Sequence, residues 1–203
     1  MKTGITGGIG SGKSYVCQRL SALYGIEVYD CDSAAKRLMR NSARLRRQLT
    51  RLIGPEAYSE VRDETGGYTL NKAVVARFLL ASDENAHAVD AIVHPAVFRD
   101  FETSGMQWME SAILFESGAR QLVDKAVVVT APLEVRIQRI MQRDGITHEK
   151  ALQWISCQWL QDEVKAHADY EIINDGEADI DSQIEELIKN LEASKHRYIE
   201  TSK

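Results

Sequence analysis

The sequence feature that most constrains the fold is a glycine-rich stretch, GGIGSGKS, at residues 7–14. It satisfies the pattern G-x-x-x-x-G-K-[ST] at every position. A short stretch with the pattern of a strand precedes it at residues 2–6, and an amphipathic stretch follows it at residues 14–24. Together they predict a strand, a phosphate-binding turn and a helix, which is the arrangement called a P-loop.

The residue types in this stretch suit the phosphates of a nucleotide. Glycines let the backbone adopt conformations that a Cβ forbids, so N–H groups can approach phosphate oxygens. The positive end of the following helix faces the same charge. Lys13 is expected to reach the β- and γ-phosphates of ATP, and the Ser14 hydroxyl to ligate Mg²⁺. The expected ATP-binding residues here are Gly8, Ile9, Gly10, Ser11, Gly12, Lys13, Ser14 and Tyr15.

The rest of the chain alternates short apolar runs with amphipathic stretches. Further strands are predicted at residues 26–30, 109–114, 126–130 and 170–173. Further helices are predicted at residues 33–53, 71–80, 84–92, 132–144, 151–165 and 180–191. His94-Pro95 is expected to interrupt the helical pattern, because the residue before a proline avoids the α region. Residues 56–68 are interpreted as a loop or a hairpin. The alternation predicts an α/β fold with a mostly parallel sheet flanked by helices.

Composition excludes several classes of protein. The chain has 203 residues, of which 44% are apolar and 27% charged, as in ordinary globular domains. No apolar run approaches the ~20 residues of a membrane span, and glycines near the start argue against a signal peptide. A net charge of −5 argues against a general nucleic-acid binder. Three widely spaced cysteines fit a reducing cytoplasm. No obligate protein partner is indicated.

Local charge differs from the overall balance between Ser33 and Arg51. This stretch has seven basic residues and no acidic one: Lys36, Arg37, Arg40, Arg44, Arg46, Arg47 and Arg51. Such a run can be a solvated helix face. It can also be a positive field directed at an anionic substrate, and composition alone leaves both interpretations open.

The P-loop alone does not specify a reaction, since GTPases, motor ATPases and small-molecule kinases share it. A GTPase would need D-x-x-G after an apolar strand and N-K-x-D further on. Residues 63–66 match the first pattern but follow polar residues, and residues 71–74 lack the final Asp. We interpret both as chance. A small-molecule kinase is therefore favoured over a P-loop switch or a regulatory ATPase that signals through a partner.

Two carboxylates, Asp30 and Asp32, close the predicted second strand. In a parallel α/β sheet the carboxyl ends of the strands line the ligand crevice. A carboxylate there can orient an attacking hydroxyl and accept its proton. The alternative is an N-cap for the next helix, for which Ser33 is equally suited. We favour Asp32 as the catalytic base and give Asp30 a supporting or structural role.

Three arginines, Arg136, Arg139 and Arg143, share one face of a predicted helix. Guanidinium groups beside a nucleotide suit phosphoryl transfer, because negative charge lies on the transferred oxygens. The alternative is a surface helix with ordinary arginines. We expect Arg139 and Arg143 to act in catalysis, and residues of about 132–165 to form a helical lid that closes over ATP.

Several motifs together resemble the dephospho-coenzyme A kinase family. They occur in the family's order and cover nearly the whole chain: residues 4–14, Asp-x-Asp at 30–32, IVHP at 92–95, LFE at 114–116, QRDG at 142–145, AD at 168–169 and INDG at 173–176. The resemblance implies that ATP phosphorylates the ribose 3′-hydroxyl of dephospho-coenzyme A, the last step of coenzyme A synthesis. It also implies P-loop kinase architecture, with a nucleotide core, a helical acceptor region at about residues 33–95 and a mobile lid.

The same resemblance assigns residues to the two substrates. It implies that Asp32 is the base and that His94 contacts the acceptor. The loop with Asn174 and Gly176 is implied to pass the adenine of ATP. The acceptor carries a pyrophosphate, and Lys36, Arg37 and Arg40 follow Asp32 on the predicted helix. Some of these three residues are expected to face that anion, and Lys36 is assigned to the acceptor site.

Overall fold

The computed structural model describes residues 1–62 and 68–201, with side chains for 1–59 and 68–195. The D-x-x-G match at residues 63–66 lies outside the described residues. The chain divides into two compact units, one of residues 1–29 and 106–203 and the other of residues 30–105.

The strands and helices follow the order that the sequence predicts. The strands are β1 (Thr3–Thr6), β2 (Val28–Asp30), β3 (Tyr58–Arg62), β4 (Tyr68–Leu70), β5 (Trp108–Glu110), β6 (Lys125–Thr130) and β7 (Tyr170–Ile173). The α-helices are α1 (Lys13–Tyr24), α2 (Cys31–Asn41), α3 (Ala43–Ile53), α4 (Lys72–Ala81), α5 (Asp83–Ser104), α6 (Leu133–Asp144), α7 (His148–Ser156), α8 (Gln161–His167) and α9 (Ile180–Thr201). Within the described part of the chain, no helix is both long and apolar enough to cross a membrane.

A five-stranded sheet organises the first unit, in the order β2-β5-β1-β6-β7. Strand β1 pairs in parallel with both β5 and β6, and β6 pairs in parallel with β7. This confirms the predicted α/β fold with a mostly parallel sheet. The order places β1, and the P-loop that follows it, in the middle of the sheet.

Helices α1 and α9 bury apolar side chains against this sheet. Val16 and Leu20 of α1 pack in one core cluster with Ile5 of β1 and Val127 of β6, and all four are fully buried. Helix α9 contributes Ile184, Leu187 and Leu191 to the same cluster, at the spacing of one helix face. This packing fixes α1, which follows the P-loop, against β1 and β6.

The second unit consists of α2 to α5 and the antiparallel pair β3–β4. Its longest helix, α5, continues through Pro95, so the predicted interruption at His94-Pro95 is wrong. Proline removes one backbone hydrogen bond, but α5 buries Val89, Val93, Val97 and Phe101 along one face. Burial of that face stabilises the helix by more than the proline destabilises it.

Helix boundaries differ from the prediction in two further places. The predicted helix at 33–53 divides at Ser42, whose hydroxyl accepts the Leu45 N–H at 3.3 Å and caps α3. The predicted helix at 151–165 divides into α7 and α8. The N-cap of α2 is Asp30, which accepts from Ser33 N–H at 3.0 Å, so neither Asp32 nor Ser33 is the cap.

Asp169 ties β7 to β6 at the start of their pairing. Its carboxylate accepts the Ala126 N–H at 2.8 Å and lies 2.9 Å from Lys125 Nζ and 3.3 Å from Arg120 Nη2. Partial burial alone would raise the pKa of Asp169. The hydrogen bonds from Ala126 and Lys125, with the charges of Lys125 and Arg120, outweigh it and hold that pKa below its usual value.

We expect Asp169→Asn to lower the free energy of unfolding by about 1–3 kcal/mol at neutral pH. A depressed carboxyl pKa stabilises the fold above the usual carboxyl pKa, and that contribution is lost as the pH falls. The difference from wild type should therefore shrink below about pH 4. Urea unfolding at several pH values measures it, with the exposed Asp162→Asn as a control. A deficit that does not change with pH would show that the charge is unimportant.

Candidate nucleotide-binding and active site

The P-loop connects β1, which ends at Thr6, to α1, which begins at Lys13. The chain reverses through Gly10 and Gly12, whose φ angles of 80° and 89° lie in the left-handed region that favours glycine. Within the described residues, the N–H groups of Gly10, Gly12 and Ser14 donate to no protein acceptor. These donors lie at the positive end of α1, which makes the loop an anion site.

Lys13 and Ser14 occupy the first turn of α1. The Lys13 side chain is buried, and Ser14 is exposed. The Ser14 hydroxyl lies 3.4 Å from Oε1 of Glu110, the last residue of β5. A hydroxyl and a carboxylate are hard oxygen donors of the kind that Mg²⁺ takes in nucleotide sites, so this pair fits the metal.

Glu110 was missed by the sequence reasoning. The predicted strand at 109–114 places this residue inside a strand, whereas β5 ends at Glu110. The strand in the structure is shorter than predicted. Its pairing with β1 ends where the Ser111 N–H donates to the Ile5 carbonyl at 2.9 Å. Leu114 then turns inward and packs beside Gly4. The signal that could have identified Glu110 is a carboxylate at the end of a strand that neighbours the P-loop strand.

A cavity of about 460 Å³ opens beside the P-loop. Its lining includes Gly12, Tyr15, Asn174 and Gly176, which are four of the residues predicted to bind ATP, together with Arg139. Asn174 is buried and donates from Nδ2 to the Ser11 carbonyl at 2.9 Å. The structure thus brings the 174–176 loop and the P-loop together, although they are far apart in sequence.

Arg139 lies at this junction. Its Nη1 donates to the Asn174 carbonyl at 3.0 Å and to the Ser11 carbonyl at 3.3 Å, and its Nη2 donates to Asn174 Oδ1 at 3.2 Å. Arg143, one turn later, instead pairs with its neighbour Asp144 at 2.7 Å, and its side chain is 61% exposed. The structure therefore places one of the two predicted catalytic arginines at the loop, while the other faces solvent.

Ile9, at the tip of the P-loop, is held from three sides. Its N–H donates to Gln158 Oε1 at 2.8 Å, and its carbonyl accepts from Arg136 Nε at 2.9 Å. Its side chain packs on the small core of α6 and α7, which includes Ile137 and Ile140. The sequence reasoning missed Gln158, since no local pattern links a glutamine after α7 to the P-loop.

The residues predicted to act on the acceptor belong to the second unit. Asp32 and Lys36 are both exposed on α2, four residues apart and so on one helix face. His94 lies on α5 with Nε2 at 3.5 Å from Asp90 Oδ1, and its ring stacks on Phe98 with 6.0 Å between centroids. Their roles stay predictions.

A central P-loop strand, a parallel sheet and a nucleotide-sized cavity beside the loop define a P-loop kinase fold. The comparisons with known proteins agree. The family model described as dephospho-CoA kinase matches residues 1–179. A dephospho-CoA kinase from Bacteroides fragilis is 40% identical over 97% of this chain and 95% of its own length.

Solved structures show the same fold. A protein from Thermus thermophilus superposes with a TM-score of 0.78 at 31% identity, covering 94% of this chain and 96% of its own. A dephospho-CoA kinase from Campylobacter jejuni has a TM-score of 0.63 at 20% identity, covering 96% and 100%, which supports the fold alone. The chain belongs to the dephospho-CoA kinase family.

Proposed function

We propose that this protein transfers the γ-phosphate of ATP to the ribose 3′-hydroxyl of dephospho-coenzyme A, giving coenzyme A and ADP. The observation that carries the proposal is the complete P-loop, with open N–H donors at Gly10, Gly12 and Ser14, in a chain of this family. The family uses ATP, so the nucleotide follows from membership. We also propose a cytoplasmic location, which the odd number of cysteines supports.

Each substrate has its own proposed residues. Lys13 neutralises the β- and γ-phosphates, while the 174–176 loop and Tyr15 hold the nucleoside part of ATP in the cavity. On the acceptor side, Asp32 accepts the proton of the 3′-hydroxyl, and Lys36 and His94 bind dephospho-coenzyme A. Arg139, which lies between the P-loop and Asn174, is proposed to act in catalysis. Arg143 and a lid of about residues 132–165 stay in the proposal as predicted from the sequence.

Mg²⁺ is the proposed cofactor, and Ser14 and Glu110 are the residues that would hold it. When bound, the ion would neutralise charge on the β- and γ-phosphate oxygens. The chain's own contribution is to present a hydroxyl and a carboxylate that face each other across 3.4 Å.

We expect Glu110→Gln to raise the Mg²⁺ concentration needed for half-maximal activity by about 10- to 100-fold. The amide keeps the shape of the carboxylate but removes the charge that attracts the ion. A magnesium titration of the phosphoryl-transfer rate measures the effect, with the exposed Glu27→Gln as a control. An unchanged magnesium requirement would remove Glu110 from the metal site.

The two alternatives are a kinase that acts on another metabolite and a P-loop switch that signals through a partner. A coupled assay of ADP release, with and without dephospho-coenzyme A, separates them. We expect ADP release to depend on dephospho-coenzyme A. Release that another acceptor stimulates instead would favour the first alternative, and slow release that no small molecule changes would favour the second.

A further inference from the structure

Arg136 is a buried cation without a counter-ion in the described part of the chain. It lies on α6 and is only 5% exposed. Among the described residues, no carboxylate lies within ion-pair distance of its guanidinium. A buried charge without a partner is costly, so its presence calls for an explanation.

Most hydrogen-bond donors of Arg136 are unused. A guanidinium has five N–H groups, and Nε donates to the Ile9 carbonyl at 2.9 Å. Neither Nη atom has an acceptor among the described residues. In that part of the chain, the side-chain nitrogen and oxygen atoms that are fully buried and have no hydrogen-bond partner are Ser11 Oγ and Glu116 Oε2. The two Nη atoms of Arg136 are not among them, so they keep some exposure to solvent.

The free end of the guanidinium lies against the P-loop. Nη2 is so close to Gly8 that a Cβ added at Gly8 would collide with it. Because Gly8 has no Cβ, the edge of the guanidinium can lie directly against the backbone of the P-loop. The carbonyl of Ile9, the next residue, accepts a hydrogen bond from Nε. Ile9 is itself held by its hydrogen bond to Gln158 and by packing on α6 and α7.

The other two arginines of α6 use their donors differently. Arg139 directs both Nη atoms at oxygens of Ser11 and Asn174, and Arg143 pairs with Asp144. On α6, therefore, Arg136 is the arginine that combines deep burial, fixed orientation and open donors beside the loop. An anionic oxygen held by the P-loop would supply both the missing charge and the missing acceptors.

We propose that Arg136 is a further catalytic residue, whose Nη groups bind the terminal phosphate of ATP. The proposal rests on the proposed function for the reaction itself. In that reaction the 3′-oxygen bonds to the γ-phosphorus, the bond from the γ-phosphorus to the β–γ bridging oxygen breaks, and ADP leaves with the electron pair. The hydroxyl proton passes to Asp32. Arg136 keeps its proton and stabilises charge on the transferred phosphoryl oxygens.

In this structure the guanidinium of Arg136 is already oriented against the P-loop. Nε is already held by Ile9, so the planar group presents its two Nη atoms in a fixed direction. Charge-assisted hydrogen bonds from such a preorganised donor are stronger than those from a mobile surface side chain.

The test compares ATP with ADP, because only ATP carries the phosphate that Arg136 is proposed to bind. By calorimetry without any acceptor, Arg136→Met should lower the affinity for a non-hydrolysable ATP analogue by about 10- to 100-fold. The affinity for ADP should stay near that of wild type. Arg136→Lys, which keeps the charge, should lose less affinity for the analogue than Arg136→Met.

Two results would overturn the proposal. An equal loss for ADP and the ATP analogue would mean that Arg136 only supports the P-loop, and no loss would mean that it does not touch the nucleotide. Lys150→Met removes an exposed lysine from α7 and is the control for net charge. If thermal unfolding shows that Arg136→Met does not fold, Arg136→Lys carries the same comparison.

This outcome can be separated from a failure of the proposed function. Calorimetry with ADP and the analogue needs no acceptor and no turnover. If wild type binds both nucleotides but does not phosphorylate dephospho-coenzyme A, the proposed acceptor is wrong while Arg136 can still be tested as a ligand of the terminal phosphate.

Discussion

Lys13→Ala is expected to abolish phosphoryl transfer and to weaken ATP binding. The substitution removes the compact positive charge that the P-loop directs at the β- and γ-phosphates. Electrostatic stabilisation is the main means by which phosphoryl transfer is catalysed, so loss of this charge should have the largest effect of any single change. Acceptor-dependent ADP release measures the rate, and calorimetry measures ATP affinity.

The control for this prediction is Lys150→Ala, which removes an exposed lysine on α7. Circular dichroism and thermal unfolding should show that Lys13→Ala is folded, because Lys13 is buried and its loss can also affect stability. A folded Lys13→Ala protein with activity near that of wild type would disprove the P-loop assignment.

Asp32→Asn is expected to reduce kcat by about 10²- to 10⁴-fold, the usual contribution of general-base assistance. The amide has nearly the same shape as the carboxylate but cannot accept the proton of the attacking hydroxyl. ATP affinity should barely change, since Asp32 is proposed to act on the acceptor. Steady-state kinetics with dephospho-coenzyme A as the varied substrate measures the change in kcat.

Asp83→Asn is a matched control for Asp32→Asn, because both aspartates are exposed in the first turn of a helix in the second unit. It should leave kcat unchanged. If Asp32→Asn raises only the KM for the acceptor, Asp32 is a binding residue and another group must accept the proton.

Features that depend on neighbours in sequence were predictable. The P-loop and its flanking β1 and α1 follow from the motif and its glycine positions. The buried strand β6 follows from the apolar run at residues 126–129. Asn174 and Gly176 were predicted from the family resemblance, and they do line the same cavity as Gly12 and Tyr15.

Features that depend on distant contacts were not predictable. Pro95 lies inside α5 because burial of a long apolar face stabilises that helix. Rules based on neighbouring residues do not include the stabilisation that comes from this burial. Gln158 reaches Ile9 across 149 positions of sequence, and Arg136 reaches it across 127. Arg136 and Arg143 have the same residue type on one helix, yet the first is buried at the loop and the second is paired in solvent. Helical periodicity predicts both arginines on one face of the helix, and only tertiary packing gives them different surroundings.

The most direct test of the central claim is the fate of the γ-phosphate. ATP labelled at that phosphate is incubated with the protein, Mg²⁺ and dephospho-coenzyme A, and the products are separated by chromatography. The proposed function predicts that the label co-migrates with coenzyme A and that a 3′-nucleotidase releases it. Label found only in inorganic phosphate, or in a product that this nucleotidase does not attack, would contradict the proposal.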